Sequence, residues 1–211
     1  MIKYMVFDWD GTLADTYPII NAAYTYTFEK MGLPVMSVEK IKEVTSSKQN
    51  KDIFAYIFGA RSQEAKDAYY EYIEQNHCAL RAMPYAKELL DFCLLNNIHP
   101  LLMTNKKTKY IHEEIKVLGF EKYFSKIVAA GECVQDKPHQ IACEALFGGH
   151  VPPQDEIMVI GDGKADVEVA KNYNVPVIIY DPKNTQKIQG NYNVRDFREV
   201  IEILKNNINN C

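Results

Sequence analysis

Asp8 and Asp10 stand two residues apart in the stretch Asp8-Trp9-Asp10-Gly11-Thr12, and a second acidic pair, Asp162 and Asp166, stands in Gly161-Asp162-Gly163-Lys164-Ala165-Asp166. Thr104-Asn105 and Lys137-Pro138 lie between them in the chain. Acids gathered at one place call for a cation. Mg²⁺ takes hard oxygen ligands and is held by one or two carboxylates together with water and substrate phosphate, so Asp8 and Asp162 suit it as direct ligands. A phosphoryl group in transfer spreads negative charge over its equatorial oxygens, which a metal ion, the Lys137 ammonium and short donors at Thr104 and Asn105 would neutralise. A carboxylate can also be the nucleophile, dividing hydrolysis into an aspartyl-phosphate step and a water step, with Asp10 handling the proton. The inventory predicts phosphoryl transfer.

Composition sets the limits within which that chemistry works. The chain has 211 residues, 47% of them hydrophobic and 25% charged, enough to bury the core of one domain or of one domain with an insertion. Lys and Arg total 24 against 28 Asp and Glu, a formal charge of -4 with no basic block, which argues against an electrostatic grip on nucleic acid or an anionic membrane. A small phosphorylated metabolite is the expected partner, for a monomer or a homodimer. Five scattered cysteines, Cys78, Cys93, Cys133, Cys143 and Cys211, include no C-x-x-C pair, so neither a disulfide framework nor a structural zinc site is predicted. The apolar run at the N-terminus is short and ends on Asp8 and Asp10, unlike a signal peptide or a membrane span. A cytoplasmic location is expected.

The elements that must position these residues are legible as periodic patterns. Residues 2–8 (IKYMVFD), 99–104 (HPLLMT), 126–130 (KIVAA), 157–160 (IMVI) and 175–180 (VPVIIY) are short apolar runs of the kind buried in parallel sheets. Helical spacings separate successive runs: Leu89, Leu90, Cys93 and Leu94; Ile111, Ile115 and Leu118 closed by Gly119; Ile141, Ala142, Ala145 and Leu146; Val167 and Ala170 before Asn174; and a last helix through Phe197, Val200, Ile201 and Leu204. This β-α-β alternation predicts an α/β fold, a three-layer, doubly wound parallel sheet with helices on both faces. Ligands bind beyond the carboxyl ends of such strands, where each of the four polar groups of residues is expected. Residues 15–84 break the pattern. They carry no strand-like run and read as helices at 19–31, 51–58 and 63–79, so a helical cap over 15–84 is expected between core segments 1–14 and 85–211.

Asp8-Trp9-Asp10-Gly11-Thr12-Leu13-Ala14-Asp15, Thr104-Asn105, Lys137-Pro138 and Gly161-Asp162-x-x-x-Asp166 together resemble the four motifs of the haloacid dehalogenase-like hydrolases, in the family's order and over nearly the whole chain. The resemblance implies a Rossmann-like core and a set of roles. Asp8 would be the nucleophile. Asp10 would be general acid and then base, its backbone carbonyl joining Asp8, Asp162 and Asp166 around Mg²⁺, with Asp166 acting through water or hydrogen bonds. Thr104 and Asn105 would bind the phosphoryl oxygens, and Lys137 would hold Asp8 and phosphate together. The insertion directly after the first motif is similar to the helical cap of the branch holding phosphoglycolate phosphatases, β-phosphoglucomutases and bacterial pyrophosphatases, and Thr104-Asn105-Lys106 is nearest to the phosphoglycolate phosphatases.

That resemblance implies a Mg²⁺-dependent hydrolase of a small phosphomonoester. The rivals are a β-phosphoglucomutase-like phosphomutase, a pyrophosphatase and, outside the enzymes, a phospho-accepting signalling module. Trp9 stands where this branch usually has a smaller aliphatic residue, and residues 41–49 lack the glycine expected of a phosphoglycolate phosphatase's substrate loop. Thr45, Ser46, Ser47 and Lys48 are the candidate specificity residues, expected on a loop. The five histidines share no ligand spacing, and Lys106, Lys107 and Lys164 read as solvated or salt-bridged side chains.

Overall fold

The computed structural model describes residues 1–47, 53–185 and 187–209. Six parallel strands form one sheet: β1 (Tyr4–Phe7), β2 (His99–Lys107), β3 (Lys126–Ala130), β4 (Ile157–Gly161), β5 (Val177–Tyr180) and β6 (Tyr192–Val194), in the order β3-β2-β1-β4-β5-β6. The chain therefore works outward from β1 on one side as far as β3, then returns to lay β4 on the other side of β1. The point where the winding reverses lies between β1 and β4, and a parallel sheet opens a crevice there at its carboxyl edge. Asp8 follows β1 and Asp162 follows β4, so the topology brings both acids to that crevice.

Strand alternation divides the core. Val6, Leu101, Met103, Val159, Val177 and Ile179 pack with Ala142 and Leu146 of one helix and Val169 and Ala170 of the next. Their neighbours Met5, Phe7, Leu102, Ile160, Ile178 and Tyr180 are equally buried and face the other way, where Tyr180 stacks on Phe197 at 4.2 Å between centroids. Both faces are covered, as strands this apolar require. Four core helices lie at the expected periodic segments, namely Ala86–Leu95, Thr108–Leu118, Lys164–Tyr173 and Phe197–Asn209, and the shorter Gln140–Leu146 makes a fifth. Gly119 and Asn174 close two of them in the left-handed conformation (φ 67° and 55°).

The chain divides into two compact units, residues 1–15 with 81–211, and residues 16–80. Residues 81–83 belong with the core because they pair with the turn after β1: Asp15 N–H donates to Arg81 O, Met83 N–H donates to Leu13 O, and Ala14 bridges Ala82. The 16–80 unit is built of helices, with no strand among its described residues. It consists of α1 (Tyr17–Lys30), α2 (Val38–Ser47), α3 (Ile53–Phe58) and α4 (Ser62–Asn76), with short 3₁₀ turns at Gly59–Arg61 and His77–Ala79. Its own core is aromatic: Tyr24, Phe28 and Phe58 are buried with Met31, Ile41 and Ala65, and Phe54 and Tyr69 pack against them. The core helices are accordingly α5 (Ala86–Leu95), α6 (Thr108–Leu118), α7 (Gln140–Leu146), α8 (Lys164–Tyr173) and α9 (Phe197–Asn209). Among the described residues, no helix is long and apolar enough to cross a membrane.

Four expectations need correction. The second strand does not stop at Thr104 but runs to Lys107, because Thr104 is buried and Lys106 half-buried on a polar extension whose pairing with β3 shifts register between Met103 and Lys107. A sixth strand, β6, carries no apolar run to announce it. A Lys-Pro step suits a first helical turn and would start the helix at Pro138, but the helix begins at Gln140, and the Lys137-Pro138 peptide bond is cis. Thr45, Ser46 and Ser47 lie in the last turn of α2, not on a loop, while Lys48 lies outside the described residues. Ser37 starts that helix by accepting the Lys40 N–H, and Ile41 and Val44, three apart, are its buried residues.

Candidate active site

The turn after β1 is fixed before any side chain acts. Gly11 takes a φ of 79°, which lets Gly11 N–H reach Ala14 O while the N–H groups of Thr12 and Ala14 both donate to Trp9 O. This compact turn leaves Asp8 at the end of β1, and Asp8 N–H is held by Ile160 O of β4. Asp8 is 9% exposed. Its Oδ2 accepts from Thr12 Oγ1 at 3.3 Å and its Oδ1 from Lys137 Nζ at 2.6 Å.

Lys137 reaches Asp8 from the loop after β3, with its chain buried and its ammonium also donating to Met103 O at 3.2 Å. Asp166 Oδ1 lies 2.5 Å from the same ammonium. Asp166 is the third residue of α8, where its Oδ2 accepts the Gly163 N–H at 2.9 Å, so one side chain caps the helix and faces the lysine. Gly161 makes room for it: a Cβ there would stand 1.9 Å from Asp166 Cγ. From the sequence, the only signal for this task is the place of Gly161 one residue before Asp162.

Burial pushes the Asp8 carboxyl up to about 7; Lys137 opposes that rise and the Asp166 charge adds to it. Burial alone would lower the Lys137 ammonium, but Asp166 and Asp8 outweigh it and hold it above the ordinary lysine range. One lysine thus serves a crowd of acids. Asp8, Asp162 and Asp166 each bring a carboxylate oxygen within 4.8 Å of the others. Asp166 Oδ1 is buried without an aligned hydrogen bond despite its closeness to Lys137. An all-oxygen donor set in which three carboxylates crowd together beside one ammonium fits a hard divalent cation.

The remaining candidates divide. Thr104 is buried beside Met103, and its Oγ1 accepts the Lys106 N–H at 3.1 Å; Asn105 is exposed. Asp10 has its side chain 27% exposed and its Oδ1 2.7 Å from Lys106 Nζ. Lys106 in turn meets both oxygens of Glu114 at 2.7 Å, and Trp9 Nε1–H donates to Glu114 Oε2 at 2.6 Å. Sequence reasoning missed Glu114 and set Lys106 aside. Thr45 of α2 donates to Lys42 O within its own helix.

The haloacid dehalogenase-like hydrolase family matches residues 5–180. A phosphoglycolate phosphatase of Vibrio parahaemolyticus is 27% identical over 81% of this chain and 80% of its own length. The pyrophosphatase PpaX of Oceanobacillus iheyensis is 26% identical over 96% of this chain and 97% of its own. Among solved structures, that of a predicted phosphoglycolate phosphatase of Haemophilus somnus superposes with a TM-score of 0.84 at 20% identity, over 96% of this chain and 98% of that one, a likeness of fold.

Proposed function

The chain belongs to the haloacid dehalogenase-like hydrolases, and on that premise we propose that it is a Mg²⁺-dependent phosphatase that hydrolyses a small phosphomonoester through a phosphorylated Asp8. The observation that carries this reading is the buried Asp8–Lys137 pair, 2.6 Å apart, with Asp162 and Asp166 beside it at the carboxyl edge of β1 and β4.

Asp8 attacks the phosphorus with a carboxylate oxygen, and the bond from phosphorus to the ester oxygen breaks as the new one forms. Asp10 gives its proton to the departing oxygen, for which its partly exposed carboxyl on the tight turn is suited. Lys137, held between Asp8 and Asp166, neutralises charge on the phosphoryl oxygens, and Thr104 and Asn105 supply donors from the C-terminal half of β2. Water then attacks the phosphorus of the aspartyl phosphate, Asp10 takes its proton, and the bond to Asp8 breaks to regenerate the carboxylate. Held by Asp8, Asp162, Asp166 and the Asp10 carbonyl, Mg²⁺ would supply further charge neutralisation at the transferring group. Selectivity for the leaving group falls to the inserted helical unit, because the core residues address only phosphate and cation.

Pyrophosphate is the second reading, favoured by the match to PpaX over almost the full length of both chains. The deciding experiment is phosphate release from a panel of small phosphate esters and pyrophosphate with Mg²⁺, beside Asp8→Asn. Turnover of at least one substrate, lost in the variant, is expected; a variant keeping more than about a hundredth of the activity contradicts the role of Asp8, since removing a covalent step costs several powers of ten.

A further inference from the structure

Behind Asp10 runs a buried chain of polar groups that the proposed chemistry does not use. Trp9 is fully buried, its indole edge-on to Phe120 and Phe124, and its Nε1–H donates to Glu114 Oε2 at 2.6 Å. Glu114, 4% exposed on α6, takes the Lys106 ammonium on both oxygens at 2.7 Å. The same ammonium lies 2.7 Å from Asp10 Oδ1. Lys106 itself is anchored through its backbone N–H to Thr104 Oγ1.

Two physical points decide what this chain is for. An ammonium has three donor hydrogens. Three carboxylate oxygens stand around Nζ at 2.7 Å: the two of Glu114 accept its hydrogen bonds, and Asp10 Oδ1 lies against it as an ion pair without an aligned hydrogen bond, so the ammonium is engaged by acids on each of these sides. A buried ion pair is also a weak source of net stability, because desolvation cancels most of its attraction, so stability alone does not account for charges at this depth. Of the four side chains, only Asp10 reaches solvent to an appreciable degree. Glu114 cancels the charge of Lys106, which leaves the ammonium able to orient Asp10 without adding net charge to the site.

We propose that Lys106, braced by Glu114 and the Trp9 indole, is a positioning residue that sets the orientation of Asp10 for proton transfer to the leaving oxygen. This rests on the reading of Asp10 as general acid. It also gives Trp9 a task that a smaller aliphatic residue at that place cannot perform, since only the indole supplies the buried N–H.

The test compares an alkyl phosphate, whose leaving oxygen needs a proton, with p-nitrophenyl phosphate, whose leaving group hardly does. The variant is Lys106→Met with Glu114→Met, which removes those two charges together and leaves Asp10, whose side chain is 27% exposed, to solvent. It should lower kcat on the alkyl ester by on the order of 100-fold while kcat on the aryl ester changes less than about threefold. KM for both substrates and inhibition by inorganic phosphate should stay unchanged. Trp9→Phe keeps the ring and drops only the donor, so it carries the test should the paired variant fail to fold; its selective loss should have the same direction and a smaller size. Placed on Asp10→Asn, the paired change should add no further loss. If Asp10→Asn is selective for the alkyl ester and the paired variant and Trp9→Phe are not, the positioning role is overturned and the acid role stands. If Asp10→Asn itself slows both esters alike, the acid role falls, and the positioning role with it.

Discussion

Gly161 owes its place to a neighbour five residues on. Any Cβ at that position would overlap the carboxylate of Asp166, at 1.9 Å from Cγ and 2.2 Å from Oδ2, and Asp166 is committed to both Gly163 N–H and Lys137. Gly161→Ala should therefore displace Asp166, lowering stability by about 2 kcal/mol and activity with it. Chemical denaturation checks this, and an unchanged midpoint would show that Asp166 can move at no cost. Asp8 yields a prediction about pH. Its folded-state pKa of about 7 lies above the roughly 3.9 of an unfolded aspartate. The contribution of Asp8 to stability is then complete below about pH 4 and is lost as pH rises through about 7. A divalent cation favours the ionised carboxylate, so the rise in Tm on adding Mg²⁺ should be larger near pH 8 than near pH 5.5, and the difference should shrink in Asp8→Asn. Equal shifts at the two pH values would contradict the placement of Asp8 at the cation. The acids and Lys137 were legible because each stands in a short contiguous motif. Glu114 was not, because its partner Trp9 is 105 residues away and on an amphipathic helix it reads like any surface acid.

The elements show the same division between local and distant causes. β1, β3, β4 and β5 follow from apolar runs that only a sheet covered on both faces would bury. β6 does not, since two of its three residues are exposed and its register depends on Asn191, which exchanges hydrogen bonds with Val177 through both its backbone and its side chain. Gly190 permits that approach: a Cβ there would be 2.7 Å from Val177 O and 3.0 Å from Tyr192 O. Gly190→Ala should loosen β6 from β5 and speed hydrogen exchange at Val177 and Val194, with little change in β1 or β4. Exchange unaltered at β5 and β6 would mean that the edge is held by something other than this close contact. The C-terminal extension of β2 was hidden for a related reason. Thr104 and Lys106 are polar residues turned from solvent; Lys106 finds its partners in the first turn and in α6, and Thr104 Oγ1 accepts the Lys106 N–H.

Across the whole molecule, the α/β core was readable because its pattern repeats, and its strand order sets β1 against β4 where the acids meet. The helical unit was only partly so: α2 went unread, and with it the setting of Thr45, Ser46 and Ser47. If leaving-group selectivity belongs to that unit, Thr45→Ala with Lys48→Ala should raise KM or lower kcat for the best natural ester while p-nitrophenyl phosphate hydrolysis changes little. An unchanged ratio between the two substrates would move selectivity elsewhere in residues 16–80. The central claim, that hydrolysis passes through a phosphorylated Asp8, is met most directly by rapid acid quench of one turnover with a ³²P-labelled substrate, followed by peptide mapping. The account predicts label on the peptide bearing Asp8, reducible by borohydride to homoserine at that position and absent from Asp8→Asn. Labelled phosphate released in the first turnover with no label on the protein, or with label on another residue, would contradict it.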